Sequence, residues 1–217
     1  MKTFLSIGSG PGIGFATAER FAREGFHVVL SARDLERTRQ LSDRLIAQGY
    51  SAEARAVDAS NPNALVELVN SVESQRGAVD VLHYNAAILR QATLANQPTD
   101  TFVSDLSVNI GGALVAAQAA MPGMSTRKSG AILLTGGFFA ISPNPEYLSL
   151  SLGKAGIRAL AHGLFNTAKT QGVHVASVTV AAFVKPDSIE AAGIAEEFWK
   201  LHSQPNDAWT AEVTYTA

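Results

Sequence analysis

Glycine is concentrated where the chain can do chemistry. An apolar run, Thr3–Ile7, leads into Gly8-Ser9-Gly10-Pro11-Gly12-Ile13-Gly14, and a helical pattern with Ile13, Thr17 and Phe21 on one face follows. Glycines in a strand-to-helix turn let backbone N–H groups approach a pyrophosphate, and the helix N-terminus adds partial positive charge. This segment is therefore a dinucleotide-binding loop by position as well as composition. The next apolar run ends in Ser31-Ala32-Arg33, with Asp34 one place later. A carboxylate at that run's end would accept ribose hydroxyls and favour NAD(H). Arg33 instead offers a guanidinium to a 2′-phosphate, which points to NADP(H) over NAD(H). The competing reading is a solvated Arg33 paired with Asp34 or Glu36.

Other reactive groups are sparse. There is no Cys among the 217 residues, which excludes disulfides, thiolate nucleophiles and thiolate metal ligands. The five His residues are scattered and show no metal spacing. His83 and His174 lie within strand patterns and read as structural. Ser151 and Lys154 match a Ser-x-x-Lys acyl-transfer spacing, but no Gly-x-Ser-x-Gly elbow accompanies them. A net charge of −2 leaves no general attraction for nucleic acid or an anionic membrane. No apolar run reaches the ~18 residues that a membrane span needs. The N-terminus is a poor signal peptide, so a cytoplasmic location is expected.

The elements that must position these groups are short β-rich runs alternating with helical segments. The runs are Thr3–Ile7, Phe26–Ser31, Ser51–Val57, Val79–Tyr84, Gly130–Gly136, Val173–Val180 and Ala211–Thr216. Continuous apolar runs separated by helices predict parallel strands buried on both faces. Right-handed crossovers then place helices on both sides. The predicted architecture is a single α/β domain spanning 1–217, a doubly wound Rossmann sheet of about seven strands.

On these residues the chain resembles the short-chain dehydrogenase/reductase family over nearly its whole length. The family's Thr-Gly-x-x-x-Gly-x-Gly matches Ile7 to Gly14, with Ile7 replacing Thr. Its adenine-facing Asp matches Asp58, and its Asn-Asn-Ala-Gly appears as Tyr84-Asn85-Ala86-Ala87. Its central-helix Asn matches Asn109, and its Lys-Ala-Gly context matches Lys154-Ala155-Gly156. The resemblance implies a cofactor site made by Gly8, Ser9, Gly10, Pro11, Gly12, Ile13, Gly14, Arg33, Asp58, Asn85, Ala86 and Lys154. It further implies hydride transfer involving a carbonyl, alcohol or imine, with Asn109 and Lys154 as surviving catalytic groups. The helices at Asn109–Met121 and Glu146–Thr170 resemble those the family uses to form homodimers or homotetramers.

The family's proton chemistry meets a departure. Where it carries Tyr, four residues before Lys, this chain has Leu150; where it carries Ser, after the fifth strand, stand Gly136 and Gly137. Tyr147 and Thr135 are the available substitutes. Asn144-Pro145-Glu146 reads as a helix N-cap, first position and acidic first turn, placing Tyr147 in that turn. Seven residues correspond to about 10.5 Å of rise, against about 6 Å for a four-residue spacing. That sets the Tyr147 phenol beyond ordinary hydrogen-bond reach of the family position. A non-enzymatic cofactor-dependent sensor or oligomeric partner is the alternative function. After the sixth strand, Ala181 to Pro186 and a helix from Ile189 to His202 leave an open pocket, with Phe183, Phe198 and Trp199 as candidate walls. EVTYT is expected to supply the last strand and complete the fold.

Overall fold

The computed structural model describes residues 1–217. Seven strands form one parallel sheet: β1 (Thr3–Ile7), β2 (His27–Ala32), β3 (Ala52–Ala56), β4 (Val81–Tyr84), β5 (Gly130–Thr135), β6 (Val173–Ala181) and β7 (Glu212–Thr216). Their spatial order is β3-β2-β1-β4-β5-β6-β7, so the winding reverses between β1 and β4. The helices are α1 (Ile13–Arg23), α2 (Leu35–Ala47), α3 (Pro62–Arg76), α4 (Thr101–Leu106), α5 (Gly112–Arg127), α6 (Leu148–Thr170) and α7 (Ile189–Ser203). The doubly wound α/β architecture is as expected from the alternation of apolar runs and helical segments.

Successive strand residues point to opposite faces, and both faces are covered. Leu5, Ile7, Leu82, Ile132 and Leu134 join side chains of α3, α5 and α6 in one core. Phe4, Val81, Ala131 and Leu133 join side chains of α1, α2 and α7 in the other. Both sets are needed to bury the sheet, which is why the strands read as unbroken apolar runs. Caps set three of the helix starts: Asp34, Asn61 and Ser188 side chains accept from the N–H groups of Arg37, Ala64 and Ala191.

Two expectations need correction. The helix predicted from Asn144 begins instead at Leu148, with Tyr147 as the residue before it. The Glu146 carbonyl is taken by the Ala92 N–H at 2.8 Å, and Ala92 bridges Tyr147. The Asn144 side chain accepts from Glu146 N–H at 2.9 Å in a local turn rather than a helix cap. The second concerns membrane-spanning length. Thr101–Arg127 is a continuous helical segment of 27 residues that contains an 18-residue window of mean hydropathy 1.2, long and apolar enough to span by length and composition. Here it lies on the sheet, where Ala113, Ala116, Ala117, Ala120 and Met124 form part of the core.

Between α4 and α5, residues Ser107–Gly111 make a π-helical turn, and Asn109 sits within it. Such turns widen the helix by one residue and leave carbonyls free for other donors. The buried Tyr84 hydroxyl donates to the Val108 carbonyl.

The end of β1 admits only glycine at its first loop position. Gly8 has φ +87°, and a Cβ there would stand 2.3 Å from the Ala86 nitrogen. Gly8→Ala therefore combines left-handed strain with overpacking against backbone, a cost of at least about 2 kcal/mol. Urea unfolding of the variant checks this; a stability within experimental error of wild type would refute the close approach.

Candidate functional site

At the carboxyl ends of the strands, beside the β1/β4 reversal, lies a cavity of about 1030 Å³. Open α/β sheets place ligands at this position because the loops from the two halves diverge there. One end is polar. The Gly8 and Ser9 N–H groups donate to the Ser31 carbonyl at 2.8 and 3.0 Å, which ties the glycine loop to β2. Ser9 Oγ donates to the Ser6 carbonyl and accepts from Ser31 N–H, closing the same tie. On the other side, the Asn85 side chain donates to the Gly8 carbonyl at 2.8 Å.

With the loop so fixed, the N–H groups of Gly12, Ile13 and Gly14 have no acceptor within the protein. Gly12 caps α1 without a side chain, and no acidic residue stands in the first turn. Three unpaired donors at a positive helix end fit an anion such as pyrophosphate. Arg33 lies on the same wall, exposed and in no ion pair, while Asp34 caps α2 and pairs with Arg37 at 3.2 Å. Asp58 also lines this end. The Ser60 N–H and hydroxyl hold its carboxyl below the usual range, and the Arg33 charge adds to that.

The opposite end is apolar. Ile88 and Leu89 follow β4, Phe138 and Phe139 follow β5, and Leu150 comes from α6. Lys154 enters between them and donates to the Thr135 carbonyl at 2.7 Å. Gly137 makes room for it: a Cβ at that position would lie 3.2–3.4 Å from the lysine stem. Burial pushes the Lys154 ammonium down to about 8. Thr135 turns its hydroxyl towards His83 Nε2 at 3.1 Å. Burial, aided by Lys154, pushes His83 down to about 3, so the imidazole is neutral at physiological pH.

Every residue expected at the cofactor site lines this cavity: Gly8 to Gly14, Arg33, Asp58, Asn85, Ala86 and Lys154. Two expected catalytic residues do not. Tyr147 stacks on Phe139 with ring centroids 5.7 Å apart and is absent from the cavity wall. Asn109 is buried, and its side chain accepts from Ile88 N–H at 2.6 Å and donates to the Ile88 carbonyl at 3.2 Å. It holds the loop after β4 rather than facing the cavity. Ser151 spends its hydroxyl on the Tyr147 carbonyl at 2.9 Å, so the Ser-x-x-Lys spacing brings no hydroxyl to Lys154. Of the proposed walls, Phe183 lines the cavity, whereas Phe198 and Trp199 pack with Phe21 and His83.

Sequence reading missed Arg37 on the polar wall and the apolar pairs Ile88-Leu89 and Phe138-Phe139. Their signal was available, since each apolar pair follows closely on a strand's carboxyl end. It also missed a buried brace. Asp105 accepts from Arg90 at 2.8 and 3.0 Å, from Gln97 at 3.2 Å and from Ser149 at 2.9 Å, fixing the loop after β4 to α4 and α6.

The sequence profile of the short chain dehydrogenase family matches residues 2–192. A short chain dehydrogenase of Pseudocercospora fijiensis is 32% identical over 192 residues, which is 88% of this chain and 60% of that protein. A metagenomic short-chain oxidoreductase crystallised in complex with NADP superposes with TM-score 0.92 at 25% identity, covering 99% of this chain and 96% of that one. NAD+-bound xylitol dehydrogenase superposes with TM-score 0.78 at 25% identity, covering 84% and 72%. The chain belongs to the short-chain dehydrogenase/reductase family and has its oxidoreductase fold.

Lys154 gives the site a pH signature. Its ammonium titrates at about 8 in the folded protein, against ~10.4 in an unfolded chain. Between those values the unfolded chain binds a proton that the folded one has lost, so this lysine makes stability rise with pH across that window. The melting temperature of wild type minus that of Lys154→Met should therefore increase from about pH 8 to about pH 10.4. A flat difference would contradict the burial of the ammonium.

Proposed function

We propose that the protein binds NADP(H) and transfers hydride to or from a small carbonyl, alcohol or imine substrate. The observation that carries this is the pairing on the polar wall. Arg33 is exposed and free, while the neighbouring carboxylate, Asp34, is committed to the α2 N-terminus and Arg37. A guanidinium without a carboxylate partner suits a 2′-phosphate, and a carboxylate already engaged is poorly placed to accept ribose hydroxyls. Relatives of the same fold are bound to NADP in one case and NAD+ in another, so the choice rests on this wall.

In this reading the unpaired N–H groups of Gly12, Ile13 and Gly14 take the pyrophosphate. Asn85 keeps the loop in place, and Lys154 serves the ribose next to the reacting ring. The nicotinamide supplies or accepts the hydride. Gly137 and Leu150 carry no dissociable proton, so Lys154 and solvent are the proton sources at the apolar end. The lack of a positioned acid slows reduction of an ordinary ketone by roughly a hundredfold to ten-thousandfold.

We propose also that a second copy of the chain covers the exposed apolar side chains Val103 and Leu114 of the 101–127 helix and Leu152 of α6. Light scattering should give a homodimer or homotetramer, and Leu114→Glu should shift it towards monomer; a monomeric wild type would refute this.

Calorimetric titration tests the cofactor assignment. NADPH should bind more tightly than NADH, and Arg33→Ala should weaken NADPH roughly tenfold to a hundredfold with NADH unchanged. Equal affinities for the two nucleotides in wild type would overturn the assignment.

A further inference from the structure

A second cavity, of about 240 Å³, lies at the amino ends of the strands, away from the cofactor site. It is lined by Lys2 before β1, Asp80 before β4, Lys128 between α5 and β5, His174 in β6, His202 near the end of α7 and Trp209 before β7. Its charges are unmatched. Lys2 and Lys128 are exposed and pair with no carboxylate, and Lys2 Nζ has the Phe26 ring as its neighbour, 5.8 Å from the centroid. Asp80, the one carboxylate in the lining, accepts from the Thr3 N–H at 2.7 Å.

The histidines are incomplete in a complementary way. His174 is 2% exposed, and its Nε2 donates to the Thr210 carbonyl at 2.9 Å. A carbonyl accepts only, so the neutral ring carries its proton on Nε2 and leaves Nδ1 bare, with no hydrogen-bond partner. His202 Nδ1 is also buried without a partner. Buried polar atoms left unpaired mark a group still to be supplied. Burial opposes a second proton on His174 and the Lys169 charge adds to that, while the Thr210 and Leu201 carbonyls favour it. Burial, with the Lys2 and His174 charges adding and Asp80 opposing, pushes His202 down to about 4. Both rings therefore lack a counter-anion. A metal ion does not fit, since no three His, Asp or Glu side chains converge and two lysines repel a cation.

We propose that this cavity is an oxyanion site that takes a phosphate group, held by Lys2, Lys128 and His202, with His174 as its buried counter-charge. A carboxylate brings one charge and two oxygens. A phosphate brings about two charges and three acceptor oxygens, which match two ammonium groups and an imidazole. Its charge offsets the burial cost of the imidazolium, so each ring gains its proton as the anion enters. Inorganic phosphate and a small phosphomonoester share this chemistry. The site is separate from the NADP(H) reading, because its groups stand at the other ends of the strands.

The two tryptophans of the chain make the site visible. Trp209 stacks on His174 with ring centroids 4.7 Å apart and planes 6° apart, and Trp199 lies 5.4 Å from His202. An imidazolium beside an indole quenches its emission, so the fluorescence of the nucleotide-free protein reads both rings. Inorganic phosphate should quench it saturably, and potassium chloride of equal ionic strength should not. Sulfate keeps its charge from about pH 6 to about pH 8, and its affinity should fall about tenfold or more over that range, because binding draws protons onto the rings. Lys2→Gln combined with Lys128→Asn should weaken phosphate at least about tenfold. Both side chains are exposed, and asparagine tolerates the φ of +50° at position 128, so the variant keeps the fold. Glycerol 3-phosphate in place of phosphate assigns the source: tighter binding supports a monoester, weaker binding supports the free ion. A quench that chloride reproduces, that survives the double substitution, or that is absent altogether overturns the proposal. A sulfate affinity that stays constant with pH does so too.

Discussion

The cavity depends on one tie, the Asn85 side chain donating to the Gly8 carbonyl across the β1/β4 reversal. The ladder between β1 and β4 ends with the Asn85 N–H donating to the Ile7 carbonyl at 2.8 Å, and beyond it the two loops lead to helices on opposite faces of the sheet. Asn85 crosses the gap from one side while the Ser31 carbonyl and Ser9 hydroxyl fix the glycine loop from the other. The loop is then rigid, and its unpaired N–H groups face outward at the start of α1. Gly8 follows from the same constraint, because the approach of Ala86 leaves no room for a side chain.

The other half of the cavity is organised around Lys154. Its ammonium is held by the Thr135 carbonyl, its stem lies over Gly137, and its lowered proton affinity follows from burial. The loop after β4 must stay clear of it, and two groups ensure this: Asn109 grips both polar atoms of the Ile88 backbone, and Asp105 gathers Arg90, Gln97 and Ser149. Asn109 can do so because it stands in a π turn, where the helix widens towards the loop. It acts here as a positioning residue, one step removed from the cavity.

Reading along the chain was most reliable where a residue's role follows from its neighbours in sequence. The glycine loop, Arg33, Asp58 and Lys154 each follow a strand or ride a helix whose face the periodicity defines, and each lines the cavity. Tyr147 shows the limit. Asn144-Pro145-Glu146 has the composition of a helix start, yet the Glu146 carbonyl bonds Ala92, fifty-four residues away in the chain, and the helix begins later. Phe198 and Trp199 failed as cavity walls for a similar reason, since which face of α7 meets the sheet depends on Phe21 and His83.

The sequence by itself determined the parallel sheet, the order of its elements and the polar end of the cavity. These arise from local causes: apolar runs buried on both faces, turns that need glycine, and donors at a helix N-terminus. Only the tertiary structure decided which groups face the reacting end. Lys154 reaches the cavity while Tyr147, Asn109 and Ser151 do not, because each of those three spends its polar atoms or its ring on partners brought in from other elements or from its own helix start. Hydrogen bonds and packing between distant segments leave no periodic trace in the chain, so the chemistry of that end became visible only when the fold brought the segments together.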